Sequence, residues 1–126
     1  MTQNKKKILL VEDDSFLISM YTIKFELENF EVVAAEDGEK GLSLAAEEKP
    51  DIILLDILLP KMNGFEVLKE LKNNKETNQI PVILLTNLSQ KNEIEQGLAL
   101  GAQDYLIKAH FMPSEVMDKI KKVLNK

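Results

Sequence analysis

Five short, unbroken apolar runs decide what this chain can fold into: residues 8–11, 32–35, 52–55, 82–85 and 105–107. A strand with one wet face alternates apolar and polar residues, whereas a run without alternation is buried on both faces. Between the runs lie longer stretches with helical spacing. Leu42, Leu44 and Ala45 precede the third run, and Phe65, Leu68 and Leu71 follow it. Ile94, Leu98 and Leu100 precede the fifth, and Val116, Ile120, Val123 and Leu124 close the chain. This pattern predicts an α/β fold, a parallel sheet covered by helices on both faces and built from β-then-α units of about 25 residues. Pro50, Pro81 and Pro113 sit where strands or helices should begin, and Gly38, Gly64 and Gly101 mark further boundaries. With 126 residues and no linker, repeat or low-complexity segment, the expectation is one domain over 1–126 with its core at about 7–124.

Charge and composition narrow the function. The net charge of −5 argues against direct nucleic-acid binding, and all 16 basic residues are lysines, so no arginine can clamp phosphate or guanine. With no cysteine, disulfides, thiolate metal sites and thiol catalysis are excluded, in keeping with a cytoplasmic address. No apolar segment has signal-peptide or membrane-spanning length. Lys5, Lys6 and Lys7 read as a solvated entry to the first strand.

In a sheet of this kind, ligands gather beyond the carboxyl ends of the strands. The first run ends in Glu12, Asp13 and Asp14, the third in Asp56, the fourth in Thr86 and the fifth in Lys108. Several carboxylates, a hydroxyl and an ammonium therefore converge at one edge. Clustered carboxylates either keep protons or recruit a cation, and an all-oxygen set with room for water suits Mg²⁺. A cation together with Lys108 would neutralise charge on a transferring phosphoryl group, which Asp56 could accept as a carboxylate nucleophile. Taken singly, these residues have plainer readings. Asp14 is a natural cap for a helix starting near Ser15, a lone threonine is usually a turn residue, and Tyr105 could be half-buried packing. His110 has no histidine or cysteine partner and points to neither a metal site nor phosphohistidine chemistry.

The acidic pair in Val11-Glu12-Asp13, the segment from Asp51 through Asp56 and Pro60 to Gly64, the run from Pro81 to Thr86, and the stretch through Gly101, Tyr105 and Lys108 occur in order. Together they resemble the receiver domain of two-component response regulators, of the single-domain chemotaxis-regulator type. The resemblance implies a flavodoxin-like, doubly wound (βα)5 fold with strand order 2-1-3-4-5. It implies that Asp56 accepts the phosphoryl group, and that Asp13, Asp56 and the Leu58 backbone carbonyl hold Mg²⁺, with Glu12 acting through a water. Thr86 and Tyr105 would form the switch pair, and Lys108 would pair first with Asp56 and then with the phosphoryl oxygen. The implied partners are a sensor histidine kinase or phosphotransfer protein and an unknown output protein reading the fourth helix, fifth strand and fifth helix. The implied molecule is a monomer or a phosphorylation-dependent homodimer, and not an enzyme beyond phosphorylating itself from small donors and dephosphorylating itself.

Four residues depart from the family pattern. Ala109 replaces the proline that commonly follows the lysine, which predicts a trans bond or a rebuilt loop there, because a cis non-proline bond costs about 3 kcal/mol. Asn87 stands where a small residue is usual. Leu58 and Leu88, two residues beyond Asp56 and Thr86, offer an attacking water no hydrogen bond, which predicts slow self-dephosphorylation. The first helix carries two apolar stripes, Phe16, Met20, Ile23 and Leu27 on one and Ile18, Tyr21 and Phe25 on the other, though a helix resting on a sheet needs only one. Other classes fit less well. An adapter that signals without phosphorylation would not need the Asp13, Asp56, Thr86 and Lys108 set, although Asn87 and Ala109 keep that class open. A phosphatase of similar architecture would want a carboxylate at position 58, and flavin or dinucleotide binding would want a hydroxyl- or glycine-rich first loop where this chain is acidic.

Overall fold

A computed structural model describes residues 5–125; residues 1–4 and 126 of the expected domain lie outside the described residues. The chain alternates β1 (Lys7–Val11), α1 (Ser15–Leu27), β2 (Glu31–Ala35), α2 (Gly38–Glu48), β3 (Ile52–Leu55), α3 (Gly64–Asn73), β4 (Val82–Thr86), α4 (Lys91–Ala99), β5 (Asp104–Ile107) and α5 (Pro113–Leu124). All strand pairs are parallel and the order is β2-β1-β3-β4-β5. The flavodoxin-like expectation holds.

Strand residues divide between two cores with the period of two that extended backbone imposes. Ile8, Leu10, Ile52, Leu54, Ile83, Leu85 and Leu106 face α1 and α5, where Tyr21, Phe25, Val116, Met117 and Ile120 cover them. Leu9, Val11, Ile53, Leu55, Val82 and Leu84 face the other side, under Ala45 of α2 and Val67, Leu68 and Leu71 of α3. Burial on both faces is why the strands read as unbroken apolar runs.

Local chemistry fixes the helix ends. Asp14 caps α1, its Oδ1 accepting the N–H groups of Phe16 at 2.9 Å and Leu17 at 3.3 Å. Asn63 and Glu66 form a reciprocal capping box that starts α3. Pro113 occupies the first turn of α5, where a missing N–H costs nothing. The second stripe of α1 is the buried one: Tyr21 and Phe25 stack at 5.6 Å between ring centroids, while Phe16, Ile23 and Leu27 are 73%, 61% and 79% exposed. One expectation fails. Lys7 is not merely solvated, because its Nζ lies 2.8 Å from Glu48 Oε1 and its main chain begins β1.

Candidate functional site

The site forms where the strand order reverses, beyond the carboxyl ends of β1 and β3. The Glu12 N–H donates to Ala35 O at 2.9 Å and the Asp56 N–H to Val11 O at 3.0 Å, so the sheet itself sets both acidic residues. Gly64 holds α3 against this edge. Its N–H donates to Ile57 O at 2.8 Å, and a Cβ at this position would lie 2.3 Å from Asp56 O. Only glycine allows that approach.

Asp56 is 6% exposed and Glu12 2%. The Lys108 ammonium bridges them, 2.7 Å from Asp56 Oδ2 and 2.5 Å from Glu12 Oε1. The second oxygens are also engaged: Asp56 Oδ1 accepts the N–H groups of Ile57 at 2.7 Å and Leu58 at 3.3 Å, and Glu12 Oε2 accepts the N–H of Asp14 at 3.0 Å. Burial works against the Lys108 charge, but the hydrogen bonds the ammonium donates to Asp56 and Glu12 outweigh it and raise the lysine above its ordinary value. Burial pushes the Glu12 carboxyl up while the ammonium pulls it down. Asp13 is exposed, and oxygen atoms of Glu12, Asp13 and Asp56 lie within 4.8 Å of one another.

Thr86 is fully buried at the end of β4, with its Oγ1 accepting the Leu88 N–H at 3.4 Å. The Tyr105 hydroxyl donates to Leu88 O at 2.7 Å, so the two expected switch residues engage the same loop after β4. Burial, followed by the charges of Glu93 and Asp56, pushes the Tyr105 phenol up to about 12. Gly97 of α4 makes room for Leu84 and this ring, since a Cβ there would stand 2.5 Å from Leu84 Cδ1 and 3.1 Å from Tyr105 Cδ2. Oxygens of Glu12, Asp13 and Asp56 can hold a hard cation, with the Lys108 ammonium against two of these carboxylates.

The response regulator receiver domain family matches residues 8–121. This chain belongs to that family. It is 39% identical over 121 residues to the alkaline phosphatase synthesis transcriptional regulatory protein PhoP of Bacillus subtilis, covering 96% of this chain and 49% of that protein. It is 42% identical over 120 residues to the transcriptional regulatory protein CpxR of Klebsiella pneumoniae, covering 95% and 50%. The chain thus spans about half the length of these curated relatives. Among solved structures, chemotaxis protein CheY4 of Vibrio cholerae superposes with a TM-score of 0.89 at 28% identity, covering 96% of this chain and all of that one. The BeF3-activated receiver domain of RstA from Klebsiella pneumoniae superposes at 0.88 with 30% identity, covering 96% and 100%. As a receiver domain of two-component response regulators, the chain is a signalling module.

Within the receiver domain, two contacts at the site leave no mark along the sequence. Lys108 meets Glu12 as well as Asp56, which spacing along the chain does not show. Asn87 and Ala109, two of the residues expected to depart from the family pattern, touch each other: Asn87 Oδ1 accepts the Ala109 N–H at 3.2 Å. The peptide bond between Lys108 and Ala109 is trans, and the loop is rebuilt as a 3-10 turn over Lys108–His110. The absent proline was the available signal for this turn; nothing in the sequence named its partner.

Proposed function

We propose that this receiver accepts a phosphoryl group on Asp56 from a sensor histidine kinase or phosphotransfer protein and passes the change to a protein partner. The observation that carries the reading is the Lys108 ammonium seated between two buried carboxylates beside exposed Asp13. An Asp56 oxygen bonds to phosphorus as the bond from phosphorus to the donor's imidazole nitrogen breaks, and the freed imidazole takes a proton. The Ile57 and Leu58 N–H groups hold the nucleophile in place. Lys108 then follows the charge from the carboxylate to the phosphoryl oxygens.

The donor set fits Mg²⁺, being hard oxygens of which the Asp13 carboxylate is exposed; Asp13, Asp56 and the Leu58 carbonyl would hold the ion directly. Glu12, whose two oxygens already accept hydrogen bonds, is suited to act through a water. When bound, Mg²⁺ supplies positive charge to the transferring phosphoryl group. Thr86 and Tyr105, joined through the Leu88 loop, relay the change toward α4, β5 and α5, where an output partner or a second copy would bind. The domain needs no enzymatic activity beyond charging from small donors and slow self-hydrolysis, and the kinase partner places it in the cytoplasm.

Incubation with acetyl phosphate and Mg²⁺, followed by intact-mass measurement, tests the reading. One phosphoryl mass should appear on the parent and none on Asp56→Asn. An unlabelled parent would mean that the domain signals without phosphorylation.

A further inference from the structure

Resting on that reading, we propose that Asn87 is a positioning residue for the phosphoryl chemistry, a side-chain strap that fixes the backbone just past Lys108. Asn87 follows buried Thr86, and Ala109 follows Lys108, so one 3.2 Å hydrogen bond joins the neighbours of the hydroxyl and the ammonium. The last rung of the ladder between β4 and β5 pairs Thr86 with Ile107. The strap extends that coupling past the point where main-chain pairing ends.

The need for it is local. A three-residue 3-10 turn is too short to hold itself, and its first N–H groups have no partner inside it. Ile107, the residue before the turn, provides no side-chain cap. The Asn87 carboxamide does so from another loop, and it depends on position 109 having an N–H to donate. Asn87, Lys108 and Ala109 also line one groove of about 290 Å³ beside Leu17 and Met20 of α1, so the strap and the lysine share a wall. With the strap cut, the turn keeps its bond from the Phe111 N–H to Lys108 O but loses its tie to the loop after β4, while the salt bridges of the ammonium must rearrange once Asp56 carries a phosphoryl group.

The test is a cycle of Asn87→Ala, Ala109→Pro and the double variant, read as the rate of phosphoryl uptake from acetyl phosphate with Mg²⁺. Ala109→Pro removes the donor and Asn87→Ala the acceptor. Because it also restrains the turn, the proline is backed by amide exchange at Ala109 in the unphosphorylated parent, Asn87→Ala and Asn87→Asp, the last of which keeps an acceptor oxygen. Each single variant should take up phosphate about three- to tenfold more slowly, since small misplacements of a catalytic group are costly. The double variant should be no slower than the slower single one. Ala109 should exchange faster in Asn87→Ala and stay protected in Asn87→Asp. Effects that multiply in the double variant, uptake by Asn87→Ala at the parent rate, or unchanged exchange would each overturn the strap alone. Failure of the parent to take up phosphate overturns the phosphoacceptor reading and the proposal with it.

Discussion

Lys108 carries more than its expected share of the site. It neutralises Asp56, and it also makes the burial of Glu12 tolerable, since a buried carboxylate without a partner is costly. Removing one partner of a buried ion pair typically costs about 3 kcal/mol or more, and Lys108→Met should lose stability of that order at neutral pH. The loss should shrink in acid. Burial already raises the Glu12 pKa, and without the lysine only the Asp14 N–H still pulls it down. A raised carboxyl stabilises the fold below its unfolded value of 4.5 and loses that contribution as pH rises through the folded value. Urea unfolding of parent and variant at pH 7 and pH 5 should show the gap narrowing at pH 5. A gap that stays constant would mean that Glu12 has found another partner. A second prediction belongs to Leu58 and Leu88. Neither offers a hydrogen bond to a water approaching Asp56, so the phosphorylated protein should persist for minutes with Mg²⁺ present, and Leu88→Glu should shorten its life about tenfold through a positioned acceptor. Loss from the parent within seconds would sink the idea.

The elements themselves were largely legible. All five apolar runs became strands, with bounds shifted by at most a residue, because double burial leaves a strong mark on sequence. Asp14 and Pro113 marked helix starts for the stated physical reasons. The choice between the stripes of α1 was not legible, because both are apolar and only the packing of Tyr21 and Phe25 against β1, β3 and α5 distinguishes them. Lys72 was missed for a similar reason: its Nζ donates to Asn78 O and Ile80 O, tying the end of α3 to the loop before β4, a contact with no pattern along the chain. At the site, strand ends pointed to Glu12, Asp13, Asp56, Thr86 and Lys108, and the structure brings Glu12, Asp13, Asp56 and Lys108 together. The bond from Ala109 to Asn87 joins residues 22 apart and appears only once β4 and β5 are paired. The exposed stripe of α1 leads to a third prediction. Ile23→Ser should change stability by no more than about 0.5 kcal/mol, as exposed sites do, whereas Phe25→Ala should cost about 3–5 kcal/mol. If the stripe meets a donor protein, Ile23→Ser should slow transfer from that protein while leaving uptake from acetyl phosphate unchanged. Thermal melts and paired transfer assays read the two effects separately.

At the scale of the whole molecule, the fold gathers repulsive charge at the edge where it works. Parallel strands all deliver their carboxyl ends to one side, and the order reversal between β1 and β3 leaves a crevice there. Into it the chain places Glu12, Asp13 and Asp56 against the single ammonium of Lys108, a local balance of −3 + 1 = −2. Like charges held together disfavour the compact state, so the receiver fold without a cation should sit below its attainable stability. Asp13→Asn removes one charge from the exposed side of the cluster without opening a cavity. It should raise the unfolding midpoint in chelator, with a gain of about 1 kcal/mol or less because the group is exposed. Added Mg²⁺ should raise the midpoint of the parent, since an ion that binds only the folded state stabilises it by mass action. Asp13→Asn should show little or none of that rise, and the melting curves of the two proteins should approach or cross as Mg²⁺ is titrated in. Equal Mg²⁺-dependent shifts in both would show that Asp13 is not a ligand and that the cation, if bound, sits elsewhere on the acidic surface.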